Sequence, residues 1–217
     1  MQRSLVGSEM CIRDSDFTGD LYVIGLWMHG VLDPKTGKWI ENLTDTSTVW
    51  NHQWRAHGSQ PGYGVKQSSQ FLISKSTDDG LTWSEPRNIT RQVKKEKWWL
   101  LAPGPGRGIT MEDGTLVFPV EGRNEDGLQF STIMWSKDKG ENWTVGEPAY
   151  YNTNECQVVE LSDHSLMLNM RERSNRGRQE GNGRAIAVTA DLGKTWTEHP
   201  TSRRALIEPA CQASLLR

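Results

Sequence analysis

Short apolar runs with β-prone composition recur along the chain, and three of them end in the same polar phrase. The runs occupy residues 71–74, 132–135 and 185–188. The phrase after each run carries a hydroxyl residue, then Asp at +2, Gly at +4 and Trp at +7. Apolar runs of this length bounded by turn-forming residues are typical of buried strands. The pattern therefore predicts a repeated β-turn that joins two strands.

The three copies span Ser76–Trp83, Ser136–Trp143 and Thr189–Trp196, and they start 60 and 53 residues apart. Such a period predicts stacked supersecondary units rather than one continuous core. The Asp carboxylate can accept backbone N–H groups of the turn, and Gly permits a positive φ. Trp supplies a large apolar ring that can anchor the hairpin.

A second signal repeats in step with these turns. Met111–Pro119 is similar to Leu161–Asn169, with Asp113 and Asp163 lying 50 residues apart, and Phe17–Ile24 is a looser copy. Each unit then contains a hairpin, a third strand, the Asp-containing turn and a fourth strand. Four antiparallel strands in about 50 residues form one blade of a β-propeller. The predicted fold class is all-β.

Composition and charge restrict the partners. The chain has 217 residues, a net charge of −2, 21 Gly and 10 Trp. This charge gives no reason to expect nucleic acid or an anionic membrane as a partner, and no apolar run approaches the length of a membrane span. The three cysteines, Cys11, Cys156 and Cys211, have no metal-ligand spacing, and their odd number argues against a disulfide framework. Cys156 is predicted to be a small buried core residue.

Residues 1–15 share nothing with the repeats and lack the apolar run of a secretory signal. They resemble translated sequencing-adapter sequence, so we interpret them as a non-native tail that precedes a domain at 16–217. Residues 27–70 read as a long inserted loop, which often carries function. Its aromatic and histidine side chains either line a ligand pocket or only pack the loop down, and no metal site is expected; these residues are Trp27, His29, His52, Trp54 and His57.

The candidate chemistry lies on a hairpin between the second and third phrases. If its turn is centred near 163–164, Glu155 lies opposite Glu172, and Arg171 lies opposite Cys156. A carboxylate and a guanidinium then reach the same end of the hairpin, at the funnel of a propeller. The alternative interpretation is an ordinary salt bridge at a strand end.

The same reasoning places Arg107 and Glu121 at the equivalent end of the preceding unit. The glycine-rich run at residues 103–108 would then let backbone approach a ligand. The alternative is that the run only serves the tight turns at a strand entry.

The three phrases resemble the Asp boxes, or BNR repeats, of sialidases (neuraminidases). The segments Asn154–Leu161 and Leu168–Arg171 resemble those that carry two active-site residues of that family. The similarity covers about residues 16–217 and implies part of a six-bladed propeller, with roughly three to four blades present. It is greatest to bacterial exo-α-sialidases, which favours a secreted or periplasmic location.

The resemblance implies hydrolysis of terminal α-linked sialic acids on glycoproteins, gangliosides or oligosaccharides, without a cofactor. Glu155 matches the base that activates a Tyr nucleophile, and Arg171 matches one of three arginines that bind the substrate carboxylate. The Tyr, the acid/base Asp and the other two arginines have no match here, so the chain reads as truncated at both ends and inactive by itself. Two alternatives remain open, a non-catalytic glycan-binding or interaction scaffold and a sialic-acid transferase.

Overall fold

The computed structural model describes residues 11–15, 18–28, 59–64, 68–178, 180–208 and 211–216. These residues form three antiparallel sheets that follow one another along the chain. The first sheet has the order β1-β2-β3-β4. Its strands are β1 (Cys11–Ser15), β2 (Leu21–Trp27), β3 (Gln70–Ser76) and β4 (Arg87–Asn88), followed by one helical turn, α1 (Thr90–Val93).

The second sheet is centred on two long strands, and both of its edges are broken. The central strands are β7 (Leu116–Arg123) and β8 (Gln129–Ser136). β5 (Leu100–Pro103) and β6 (Ile109–Thr110) both pair with β7, while β9 (Thr144–Val145) and β10 (Tyr150–Tyr151) both pair with β8. Each broken edge therefore takes the place of one strand, so the sheet has the four-strand plan of the other two.

The third sheet is an uninterrupted meander in the order β11-β12-β13-β14. Its strands are β11 (Thr153–Glu160), β12 (Leu166–Glu172), β13 (Ala185–Thr189) and β14 (Thr197–Glu198), with a 3-10 turn at Arg173–Asn175 after β12. The predicted hairpin that carries Glu155 and Arg171 is thus the β11–β12 pair.

The apolar core lies in two layers, one between each pair of consecutive sheets. Alternation along β7 shows how one strand serves both layers: Phe118 and Val120 pack against the first sheet, while Val117 packs against the third. Cys156 is fully buried in the second layer, as predicted. Sheets that cover each other face to face in chain order are the packing of propeller blades.

The repeated phrase forms the β-turn that its residue types predict. In the first copy, the Gly80 N–H donates to Ser76 Oγ at 2.9 Å, and the Thr82 N–H donates to Asp78 Oδ1 at 2.8 Å. The other two copies repeat both bonds, with Gly140 and Asn142 in the second and Gly193 and Thr195 in the third as donors.

Each turn contains two consecutive residues with positive φ, and glycine is the second. The residue before the glycine is Asp79, Lys139 or Leu192, with φ between 55° and 57°. Two consecutive residues with positive φ at the centre of a four-residue turn define a type I′ turn. The first, second and third copies follow directly on β3, β8 and β13.

The sequence prediction of an all-β, partial β-propeller is confirmed, and the described residues supply three of its sheets. None of the helices in the described part of the chain has the length and apolar character needed to cross a bilayer. Strand β1 lies inside the segment interpreted as a non-native tail and pairs with β2; that interpretation stays a prediction.

Candidate active site

Glu155 and Arg171 meet at one end of the β11–β12 hairpin. The distance between Glu155 Oε1 and Arg171 Nη1 is 2.8 Å, and the two side chains are 26% and 24% exposed. The two predicted site residues are therefore in contact, and both remain accessible from solvent. Arg171 Nε is buried and has no hydrogen-bond partner among the described residues, so this guanidinium has a donor still to be satisfied.

The strand register that brings them together differs from the predicted one. Arg171 pairs with Asn154 rather than with Cys156, and Glu172 pairs with Thr153 rather than with Glu155. The prediction is wrong by one residue near the turn, where Val158 lies opposite Leu168, and by two at the site. The error grows from one residue to two because of a β-bulge between Asn154 and Gln157, which a turn-centred count cannot foresee.

Glu155 lies inside this bulge with a φ of +37°. A long, unbranched side chain rarely adopts such a backbone conformation, because the Cβ atom crowds the following carbonyl. Strained residues of this kind persist only where the surrounding structure holds them, and they concentrate at functional sites. Bulges likewise redirect a side chain beside active sites.

Two buried charged side chains hold the backbone of Glu155 from opposite sides. Glu121, on β7 of the second sheet, is 1% exposed and accepts the Glu155 N–H through Oε2 at 2.7 Å. Arg184, which precedes β13, is 4% exposed and donates from Nη2 to the Glu155 carbonyl at 3.4 Å. Burial lowers the pKa of Arg184 from its ordinary value. The bulge is thus fixed by one group from the second sheet and one from the third.

Arg184 also belongs to a buried ion pair beneath the site. Its Nη1 lies 3.3 Å from Glu208 Oε2, and the two side chains are 5% and 0% exposed. Both carboxyl oxygens of Glu208 accept the N–H of Glu172 at 3.1 Å, and Glu172 is the residue that follows Arg171 in β12. Burial raises the pKa of Glu208, an effect that the Glu172 N–H and Arg184 oppose.

Sequence reasoning missed Arg184 and Glu208. Each is a charged residue beside an apolar pair or run, Ala185–Val188 and Leu206–Ile207. For Arg184 this adjacency is the available signal, because a charge at the border of a buried strand needs a partner. Leu206 and Ile207 are exposed, so the sequence offers no such signal for Glu208. The signal at Arg184 does not identify the partner, since the two residues are 24 positions apart and only the fold brings them together.

The turn-centred count predicted that Arg107 and Glu121 lie at the same end of the second unit, and this prediction is wrong. Glu121 contacts Glu155, whereas Arg107 is exposed and lines a shallow depression with Val158 and Glu160, further along β11. The glycine run packs closely against β11: a Cβ atom at Gly106 would collide with the Gln157 side chain. Both interpretations of that run stay predictions.

Of the candidate residues in the inserted loop, Trp27 alone lies among the described residues. Trp27 ends β2, opposite Gln70. His29, His52, Trp54 and His57 lie outside the described residues. A cavity of about 640 Å³ lies apart from the candidate site, between the second and third sheets, and Trp135, His164 and Asp191 are among the residues that line it.

Comparison with known proteins agrees with this fold. The family described as "BNR repeat-like domain" matches residues 46–216. A sialidase of Bacteroides fragilis is 45% identical over 211 residues, which are 97% of this chain and 34% of the relative. A sialidase of Clostridium perfringens is 34% identical over 156 residues, 66% of this chain and 38% of the relative.

Among solved structures, the Hadza microbial sialidase Hz136 superposes with a TM-score of 0.74 at 42% identity. The match covers 90% of this chain and 33% of that one. A β-propeller with Asp-box turns and a Glu–Arg pair at a strand end is the class that the fold and the site define. The chain belongs to the sialidase family with BNR repeats. It spans about a third of the length of the relatives that it matches.

Proposed function

We propose that this chain is the central part of an exo-α-sialidase, which hydrolyses terminal α-linked sialic acids of glycoproteins, gangliosides or oligosaccharides. The observation that carries the proposal is the contact between Glu155 and Arg171 at 2.8 Å in a solvent-accessible position. The similarity to proteins named sialidase supports it. The complete enzyme is the full-length protein of which we propose this chain to be a part.

The carboxylate of the substrate explains why Glu155 is proposed as a base and not as a nucleophile. Sialic acid carries its own carboxylate on the anomeric carbon, and an enzyme carboxylate that attacked there would meet charge repulsion. Sialidases use a Tyr nucleophile instead. The phenol needs a neighbouring base, so Glu155 takes the phenolic proton as the Tyr oxygen bonds to the anomeric carbon and the glycosidic C–O bond breaks.

Arg171 is proposed to bind the substrate carboxylate. A guanidinium presents several N–H donors in one plane and pairs with a carboxylate through two parallel bonds. One donor of Arg171 is committed to Glu155, and the buried Nε has no partner among the described residues. The Arg171 side chain is 24% exposed, so a substrate carboxylate can approach the guanidinium from solvent.

The remaining groups of the reaction are proposed to lie on sequence outside this chain. They are the Tyr nucleophile, the Asp that protonates the leaving oxygen and then activates water, and the two further arginines of the carboxylate site. This chain alone is therefore expected to be inactive. A transferase would share all of these groups and differ only in the acceptor that replaces water.

The test compares variants of the complete enzyme on a fluorogenic aryl α-sialoside. Glu155→Gln keeps the shape but removes the base, and we expect kcat to fall about 10²–10⁴-fold with an unchanged melting temperature. Arg171→Lys keeps the charge but loses the planar fork, and we expect mainly a higher KM. Glu160→Gln, at the other end of β11, is the matched control and should behave like the wild type.

Two results would contradict the proposal. One is near-normal turnover in both site variants, and the other is the absence of sialoside cleavage by the folded wild-type enzyme. Chromatography of the product distinguishes hydrolysis from transfer, because transfer yields a new sialoside or an anhydro sugar in place of free sialic acid. A non-catalytic scaffold would bind sialylated glycans without releasing sialic acid.

A further inference from the structure

We propose that Glu121 is a positioning residue, which holds the Glu155 carboxylate against Arg171 by fixing the β-bulge of β11. The inference rests on the proposed function, because it assigns a role within that reaction. Its basis is the 2.7 Å hydrogen bond from the Glu155 N–H to Glu121 Oε2. Glu121 itself lies on a neighbouring sheet and is 1% exposed.

The bulge needs such a partner because it removes Glu155 from the regular strand ladder. Asn154 and Gln157 have Cα partners on β12, while the two residues between them have none in the register. The backbone N–H of a buried strand must then find an acceptor elsewhere. A side-chain carboxyl oxygen of Glu121 supplies that acceptor, because it needs no partner strand to do so.

The direction of the Glu155 side chain depends on this bond. The φ of +37° sets where the Cβ atom leaves the backbone, and an L-residue released from constraint returns to negative φ. Relaxation of the bulge would therefore swing the carboxylate away from Arg171. Glu121 resists this because it lies on a central strand, paired with Ala102 on one side and Ser131 on the other.

Glu160, which lies at the opposite end of β11 from Glu155, offers a matched comparison with Glu121. Glu160 is also buried, and its Oε2 accepts the N–H of Glu112, in the turn between β6 and β7, at 3.0 Å. Both carboxylates thus join the second and third sheets by the same kind of bond. Only Glu121 contacts the backbone of the proposed base, so the two residues separate positioning from simple attachment of the sheets.

The experiment measures kcat, KM and melting temperature of four variants of the complete enzyme with the aryl sialoside. Glu121→Met removes the acceptor at similar volume, and we expect kcat to fall about 100-fold, the effect of a misplacement of about 1 Å, while KM changes little. Glu121→Gln keeps an acceptor oxygen and should restore most of kcat. Glu121→Asp keeps the carboxyl group but withdraws it by one methylene, and should lose kcat as Glu121→Met does.

Glu160→Met is the control and should lower the melting temperature about as much as Glu121→Met, with wild-type kcat. The inference is overturned if folded Glu121→Asp or Glu121→Met turns over like the wild type, or if Glu160→Met loses kcat to the same extent. Glu121→Asp decides the matter where Glu121→Met does not fold. Glu155→Gln separates the two proposals: if it remains active, the proposed function fails, whereas loss there with normal Glu121 variants rejects only the role of Glu121.

Discussion

The strained backbone at Glu155 predicts an inversion of the usual order of glycine and alanine variants. Ordinarily Gly is less favourable than Ala inside a strand by about 0.5–1 kcal/mol, because it loses more backbone freedom on folding. At Glu155 the φ of +37° costs an L-residue about 1–2 kcal/mol, a cost that Gly does not incur. Taken at the middle of each range, the difference leaves Glu155→Gly more stable than Glu155→Ala by about 0.75 kcal/mol.

The comparison isolates the backbone because both variants lack the carboxylate. Each loses the same contact with Arg171, so that contribution cancels in the difference. The adjacent residue Asn154 has no positive φ and supplies the control pair, Asn154→Gly and Asn154→Ala, in which Ala should be the more stable by the usual amount.

The assay is urea unfolding of the four variants in the complete enzyme, followed by tryptophan fluorescence. The free energies are compared at equal m-value, because a change in m would indicate an altered unfolded state. Equal stability of the Glu155 pair, or an advantage for Ala, would refute the idea that the bulge holds Glu155 under strain. So would a glycine advantage of similar size at Asn154.

Three further predictions concern stability. Hydrogen bonds from the Asp-box turn lower the pKa of Asp191 from 3.8 to about 2, so its contribution is complete above pH 4 and is lost as the pH falls towards 2; in urea titrations, the gap between wild type and Asp191→Asn should close over that range and stay constant above it. Arg184→Met or Glu208→Gln alone should cost about 3–5 kcal/mol, because each leaves a buried charge or its partner unpaired, and the double variant should cost less than the sum; strict additivity in unfolding experiments would contradict the coupling. Gly140→Ala should destabilise more than Gly114→Ala although both glycines have positive φ, because only at Gly140 would a Cβ atom lie 2.9 Å from a buried tyrosine ring of the first sheet; equal melting temperatures would reject this packing.

The repeated turn illustrates why much of the fold could be predicted. Its hydrogen bonds join residues two and four positions apart, such as Ser76 with Asp78 and Asp78 with Thr82. Local bonds of this kind depend on residue type and spacing, which are visible in the sequence. The strand that precedes each turn follows from its apolar run, so the blade plan is predictable as well.

The candidate site was predictable in outline because a single hairpin contains both of its residues. The turn after β11 brings Glu155 and Arg171 to the same end of the strands. Their register was not predictable, because it depends on a bulge whose support comes from Glu121 and Arg184. These residues lie 34 and 29 positions from Glu155 and reach it only when the sheets have packed together.

The sequence by itself thus determined the all-β units, the turns that close them and the hairpin that carries the carboxylate and the guanidinium. These depend on contacts between near neighbours in the chain, where spacing alone decides which groups meet. Tertiary structure decided the left-handed backbone at Glu155, the buried ion pair of Arg184 with Glu208, and the separation of Arg107 from Glu121. Each depends on contacts between residues that are distant in the chain. The packing of side chains within and between the sheets sets which of these residues meet, and local spacing does not encode that packing.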